Sequence, residues 1–210
     1  MKTTEEVVYL VDDDASIRDS ITRMLVLAGY RVVSFATARE FLAINGDLPP
    51  ACLILDLQLP ESNGLQLQKQ LSERPRPLPI VFITGYGDIA SSVQAMKAGA
   101  VDFLPKPFAK EALLSAVETA LDQSRRERAV KLELTETHDR LATLTPRESE
   151  VLLYLAAGNS NKQVAGDLEI AETTVKVHRA RIMKKLNVHS TAELVRLALK
   201  AGMPLPCASR

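Results

Sequence analysis

The chain has 210 residues, 46% of them hydrophobic and 25% charged, an ordinary composition for one large or two modest globular domains. Its 26 basic and 26 acidic side chains cancel overall, but residues 1–121 carry a net charge of −4, residues 122–143 of 0 and residues 144–210 of +4, so a polyanion partner would meet the last third. No stretch reaches the roughly 18 to 20 apolar residues of a membrane span, and MKTTEEVVYLVDDD lacks a signal-peptide pattern, which predicts a cytoplasmic protein with no membrane partner.

The first apolar run, Val7 to Val11, leads into Asp12 and Asp13. A helix is predicted over Ser16 to Ala28, stopped by Gly29. The run Arg31 to Ala36 ends at Thr37 and is followed by a helix over Ala38 to Ile44, stopped by Asn45 and Gly46. Cys52 to Leu55 runs into Asp56, with a helix over Gly64 to Ser72 behind it. Cys52 sits inside this run and Cys207 near the end, a spacing that suggests neither a disulfide framework nor a zinc site. Ile80 to Ile83 runs into Thr84 ahead of a helix over Asp88 to Ala98, and Val101 to Leu104 runs into Lys106 ahead of a helix over Ala109 to Leu121. Strand and helix thus alternate five times, the pattern of an α/β doubly wound domain with a parallel five-stranded sheet.

In such a sheet the carboxyl ends of the strands line one crevice, where ligands bind. That brings Asp12, Asp13, Asp56, Thr84 and Lys106 together. Carboxylate oxygens suit a divalent cation, while an ammonium and a hydroxyl suit phosphoryl oxygens. Asp56 is the natural nucleophile for an acyl phosphate, and Asp12 and Asp13 would hold Mg²⁺. Crowded carboxylates repel one another unless a cation lies among them, and phosphoryl transfer needs mainly in-line positioning and charge neutralisation, which Lys106 and Thr84 supply.

From Asp122 to Thr143 the chain has no Gly or Pro and mixes both charge signs, predicting a solvated helix that continues the preceding one. Val130, Leu132, Leu134 and Leu141 give a coiled-coil seam little support. Thr145-Pro146-Arg147-Glu148 reads as a capping box with proline at the first helical position. The helix it opens runs to Ala157 and stops at Gly158; a short helix follows Ser160 or Asn161, and a third covers Glu172 to Lys185. Ser190-Thr191-Ala192-Glu193 reads as another capping box, opening a helix that ends at Gly202. The expectation is a small all-α domain of four helices over 144–202, joined by a helical linker over 122–143 to an α/β domain over 1–121, with a tail over 203–210.

On a helical wheel of Glu172 to Lys185, Ile182, Leu186 and, more loosely, His178 gather with Val175 on one face. Thr173, Val177, Ala180 and Lys184 occupy the other, flanked by Lys176, Arg179, Arg181 and Lys185. Two small apolar side chains inside a basic rim suit the major groove, where they touch thymine methyls while the cations bond bases or phosphates.

Residues 7–121 resemble a two-component receiver domain, through the pair Asp12 and Asp13, Asp56 followed by Pro60 and Gly64, Thr84, and Lys106-Pro107. LTPRESEVL, NKQVAGDL and TTVKVHRARIMKKLNV resemble the LuxR-type helix-turn-helix across roughly 144–200. Together the chain is similar to transcription regulators of the NarL/FixJ class, most closely the FixJ-like branch.

The resemblance implies that Asp56 accepts a phosphoryl group from a sensor histidine kinase. It implies that Asp13, Asp56 and the backbone carbonyl of Gln58 bind Mg²⁺, Asp12 acting mainly through water, and that the Lys106–Pro107 peptide is cis. Thr84 and Phe103 would form the switch, Phe103 standing where a tyrosine is common, so that burial alone drives its ring. Gln58 and Tyr86 would set the acyl-phosphate lifetime, and His178 would be a packing residue. Phosphorylation would drive homodimerisation through the Asp88 to Ala98 helix and the Val101 strand, promoter binding as duplex DNA, and regulation of RNA polymerase. Ala171 stands where the family usually places a Ser or Thr cap. On this reading the protein is no enzyme beyond its own phosphorylation and dephosphorylation. A hydrolase with an aspartate nucleophile would call for a second carboxylate two residues on, where Gln58 stands. An adaptor that binds only proteins would leave the basic helix without a task.

Overall fold

The computed structural model describes residues 6–44, 49–60, 62–73, 77–85 and 89–203, so the helix stop at Asn45 and Gly46, Tyr86, the helix start at Asp88 and the tail with Cys207 lie outside the described residues. The chain divides into two compact units between Arg128 and Ala129. In the first, β1 (Val7–Val11), β2 (Arg31–Phe35), β3 (Ala51–Asp56), β6 (Ile80–Thr84) and β7 (Asp102–Pro105) form one sheet in the order β2-β1-β3-β6-β7, every pair parallel. The helices between them are α1 (Ala15–Leu27), α2 (Ala38–Leu42), α3 (Gly64–Ser72) and α4 (Ile89–Lys97), and α5 (Lys110–Ala142) follows β7. The short pair β4 (Gln58–Leu59) and β5 (Ser62–Asn63), antiparallel and just past β3, carries too few residues for any periodicity to announce it.

Alternation along the central strands divides the apolar residues between two cores. Tyr9, Val11, Leu53, Leu55 and Phe82 face Phe41, Leu67 and Leu71 of α2 and α3. Val8, Leu10, Cys52, Ile54, Val81 and Ile83 face Ile21 and Leu25 of α1 and Leu113, Val117 and Leu121 of α5. Burial on both faces explains why these strands read as unbroken apolar runs, and it pushes the Cys52 thiol well above its usual range, away from thiolate reactivity. At the amino ends of the strands Arg125 bonds Glu6, Glu118 and Asp122, and the Ser124 hydroxyl accepts the Ala51 N–H at 3.1 Å, fastening α5 to the sheet.

In the second unit α6 (Pro146–Ala156), α7 (Asn161–Asp167), α8 (Glu172–Leu186) and α9 (Thr191–Lys200) enclose a core of Val151, Leu152, Leu155, Val164, Val175, Ile182, Leu186, Leu194 and Ala198, which Leu141 and Leu144 join. The Thr145–Glu148 capping box is present. A second one, not anticipated, opens α7, where Ser160 and Gln163 exchange bonds. At α9 the Ser190 hydroxyl accepts from Glu193 N–H, but the Glu193 carboxylate takes the His189 N–H at 2.8 Å, one residue ahead of the expected cap. The α8 cap is Ala171, in extended conformation with no side-chain bond. Restoring the missing acceptor with Ala171→Ser is expected to raise stability by about 0.5 to 2 kcal/mol. Thermal unfolding of the full chain checks this, and an unchanged transition would mean that the free N–H groups are already satisfied.

Candidate functional site

The parallel register sets Val11 beside Leu55, Asp56 beside Ile83 and Thr84 beside Pro105, so residues 12, 56, 84 and 106 emerge at one edge of the sheet. Asp12 is fully buried; its Oδ1 accepts the Asp14 N–H at 2.9 Å. Asp56, 7% exposed, accepts the Gln58 N–H on Oδ1 at 3.0 Å. The Lys106 ammonium, its side chain 14% exposed, donates to Asp12 Oδ2 at 2.6 Å and to Asp56 Oδ2 at 2.7 Å. Its backbone N–H binds the Thr84 carbonyl at 2.6 Å, and the Lys106–Pro107 peptide is cis. Thr84 is wholly buried.

One carboxylate oxygen from each of Asp12, Asp13 and Asp56 lies within 4.8 Å of the others, with Asp13 exposed. Burial raises the Asp12 carboxyl above its usual range against the pull of Lys106 and the Asp14 amide. For Lys106 burial lowers the pKa, but the bonds to Asp12 and Asp56 outweigh it and the net direction is upward. The cluster therefore holds three carboxyl groups against one ammonium, which bonds two of them. An oxygen donor set with this charge imbalance fits a hard divalent cation such as Mg²⁺.

Gly64 permits the close approach behind Asp56. A Cβ there would stand 3.0 Å from a Phe82 ring carbon and 3.1 Å from the Leu57 Cα, both tight, and 2.8 Å from the Asp56 carbonyl oxygen, closer than packed atoms allow, so the residue is required by contact rather than by backbone angle. Phe103 on β7 is half-buried, its ring tilted 38° against Phe82 with centroids 6.3 Å apart. A cavity of about 410 Å³ between α2, α3 and the β4–β5 turn borders Asp13 and includes Arg39, Leu42, Leu59 and Leu67 in its lining. Neither Asp56 nor Lys106 lines it, so this cavity lies beside the reactive cluster rather than over it. One participant escaped the sequence: Arg18 on α1 donates to the carbonyls of Asp12 and Asp13.

On α8, Val175, Ile182 and Leu186 are buried, and His178 is half-buried with its Nδ1 inside. Thr173, Lys176, Val177, Ala180, Arg181 and Lys184 are exposed, Val177 at 49%, and Lys176 pairs with Glu172 at 2.9 Å. The other two cations expected to contact DNA are drawn elsewhere. Arg179 donates to Thr191 Oγ1 at 2.7 Å and to Asn161 Oδ1 at 3.4 Å. Lys185 donates to the buried carboxylate of Glu148 at 2.6 Å and to the Thr143 carbonyl at 3.0 Å. Periodicity places all these cations on one rim; only the tertiary packing separates the solvated from the engaged.

Residues 8–118 match the response regulator receiver domain family, and residues 142–198 match the luxR family of bacterial regulatory proteins. Response regulator protein TmoT of Ectopseudomonas mendocina is 43% identical over 197 residues, covering 94% of this chain and 90% of its own. Transcriptional regulatory protein FixJ of Bradyrhizobium diazoefficiens is 41% identical over 203 residues, covering 96% and 98%. Among solved structures, response regulator StyR superposes with a TM-score of 0.85 at 45% identity, covering 94% of this chain and 100% of its own. Full-length FixJ from B. japonicum gives 0.56 at 38% identity, covering 96% and 100%.

The Lys185 bond, with the Thr145 amide second, holds the Glu148 carboxyl down at about 2. A carboxylate with a depressed folded pKa stabilises the fold above its unfolded value and loses that contribution as pH falls through the folded one. The stability lead of the wild type over Glu148→Gln is therefore expected to hold steady above about pH 5 and to shrink as pH falls from the ordinary glutamate value of 4.5 toward 2. Urea midpoints measured across that range check this; a lead independent of pH would remove Lys185 as the anchor of the capping box.

Proposed function

The chain belongs to the response regulators that join a receiver domain to a LuxR-type DNA-binding domain, and on that premise we propose that Asp56 is the phosphoacceptor through which a sensor histidine kinase controls its grip on promoter DNA. The observation that carries the proposal is the Lys106 ammonium bridging Asp12 and Asp56 beside Asp13 and Thr84. Asp13, Asp56 and the Gln58 carbonyl would hold Mg²⁺, with Asp12 behind them. When bound, the cation neutralises phosphoryl oxygens and lets the carboxylate approach them.

An Asp56 oxygen attacks the phosphorus as the bond to the donor breaks, giving an acyl phosphate. Lys106 then exchanges its bond to Asp56 Oδ2 for one to a phosphoryl oxygen while keeping Asp12, and the Thr84 hydroxyl takes another. That movement of Thr84 makes room for the Phe103 ring. The exposed apolar side chains Ile89, Val93 and Met96 of α4 support α4 with β7 as the homodimer face. We assign 1–121 to the receiver because Leu121 is the last α5 residue in the core of the sheet. Residues 122–143 are the linker, 144–202 the DNA-binding domain and 203–210 the tail. Acting in the cytoplasm, the dimer reads promoter DNA and influences RNA polymerase.

Thr173, Lys176, Val177, Ala180, Arg181 and Lys184 are assigned to the duplex, whereas Arg179 and Lys185 bond neighbouring elements of the helical unit and so brace α8. Among the described residues no helix is long and apolar enough to cross a membrane.

Asp56→Asn is expected to abolish dimerisation by acetyl phosphate or beryllofluoride, read by light scattering; a variant that still dimerises with them refutes the acceptor assignment. Lys184→Ala is expected to weaken binding to all duplexes alike and to lower the slope of log affinity against log salt by about one. Filter binding at several salt concentrations tests this, and an unchanged slope would take Lys184 off the phosphates.

A further inference from the structure

Arg18 lies at the fourth position of α1, whose first turn contains no acid. A cation there sits near the positive end of the helix dipole, an unfavourable place unless its side chain finds partners. Helical side chains slope toward the N-terminus, and this one reaches back over the β1–α1 turn. A single guanidinium nitrogen donates to the Asp12 carbonyl at 2.8 Å and to the Asp13 carbonyl at 2.9 Å. The other bonds of the turn close around it. Asp12 Oδ1 takes the Asp14 N–H, and Asp14 Oδ1 takes the N–H groups of Ser16 and Ile17 at 2.8 and 3.3 Å. Asp13 itself is exposed and projects from a turn with no strand or helix of its own, so the direction of its carboxylate depends on what fixes the backbone at residues 12 and 13.

We propose that Arg18 is a positioning residue for the divalent-cation site, fixing the two consecutive aspartates through their carbonyls so that their carboxylates converge with Asp56 before the cation arrives. This rests on the assignment of the Asp12, Asp13 and Asp56 cluster to Mg²⁺. It departs from a purely electrostatic role in sign. A nearby guanidinium repels Mg²⁺, so if charge were all that Arg18 contributed, removing it would tighten the cation's binding. If geometry dominates, removing it loosens the binding, as loss of outer-shell support around metal ligands commonly does, by about tenfold.

The test is calorimetric titration of the unphosphorylated full chain with Mg²⁺, for the wild type, Arg18→Met and Arg18→Lys. Met keeps most of the stem without the charge, and Lys keeps the charge without the planar fork. The expected result is binding about tenfold weaker for Met and weakened to a lesser degree for Lys. Labelling of Asp56 by acetyl phosphate should return to the wild-type maximum rate at saturating Mg²⁺, with the change confined to the Mg²⁺ concentration at half-maximal rate. Met binding as tightly as the wild type, or tighter, overturns the positioning role while leaving Asp56 as acceptor. Wild-type chain that binds no Mg²⁺ overturns both. The Lys variant decides the case where Met fails to fold: unchanged affinity there counts against the proposal.

Discussion

A single ammonium shared by two carboxylates sets the layout of the receiver unit. Lys106 reaches Asp12 and Asp56 at once, and the strand order β2-β1-β3-β6-β7 brings the three residues within that reach. Neighbouring strands lie about 4.8 Å apart, so Asp12 at the end of β1 and Asp56 at the end of β3 are adjacent, while Lys106 leaves β7 two strands away. Its long stem crosses the end of β6, directly past Thr84. Thr84, the last residue of β6, therefore lies along the path of the ammonium. The backbone bond from Lys106 N–H to the Thr84 carbonyl fixes where that crossing begins.

The same topology explains what the amino-acid sequence discloses. A strand buried on both faces shows as a short apolar run, and the first polar residue after it stands at the crevice. That is why Asp12, Asp56, Thr84 and Lys106 are legible from pattern alone; the helix ends at Gly29 and Gly158 are legible for a separate reason, the positive φ that glycine adopts freely. Side-chain partners chosen across the fold are not. Lys184 and Lys185 are adjacent and chemically identical, yet only Lys185 meets Glu148, 37 residues away in sequence. Arg125 meets Glu6 across 119 residues, a choice that no window of ten or fifteen residues contains. The β4–β5 pair is too short to have a period. Arg18 was hidden for another reason: its bonds go to backbone carbonyls, which every residue possesses, so the residue types around it carry no signal.

These concealed contacts share a purpose. Arg18, Arg125, Arg179 and Lys185 each bond acceptors of their own unit: carbonyls for Arg18, carboxylates for Arg125, a hydroxyl and a side-chain carbonyl for Arg179, and a carboxylate with a carbonyl for Lys185. A basic side chain read from sequence as a ligand contact can equally be a strut, and a buried partner identifies such a strut. Glu148, nearly inaccessible, marks Lys185 as a strut. Lys176, paired with an exposed Glu172, stays available, because a solvent-exposed pair of this kind contributes only a few tenths of a kcal/mol and yields readily to a phosphate.

On the proposed mechanism the remaining question is how a phosphoryl group moves a ring. Phe103 has no hydroxyl, so no hydrogen bond holds it in either position and none is lost as it turns. Already half-buried against Phe82, it gains from turning inward only by burying the rest of its ring, a contribution on the order of 1 kcal/mol. Allosteric coupling typically amounts to about 1 to 3 kcal/mol, so ring burial alone supplies the lower part of that range. The larger share falls to Thr84, whose bond to a charged phosphoryl oxygen is of the stronger class, about 1.5 to 3 kcal/mol. On the proposed mechanism, then, burial moves the Phe103 ring as its lack of a hydroxyl requires, while the Thr84 hydroxyl supplies most of the driving force.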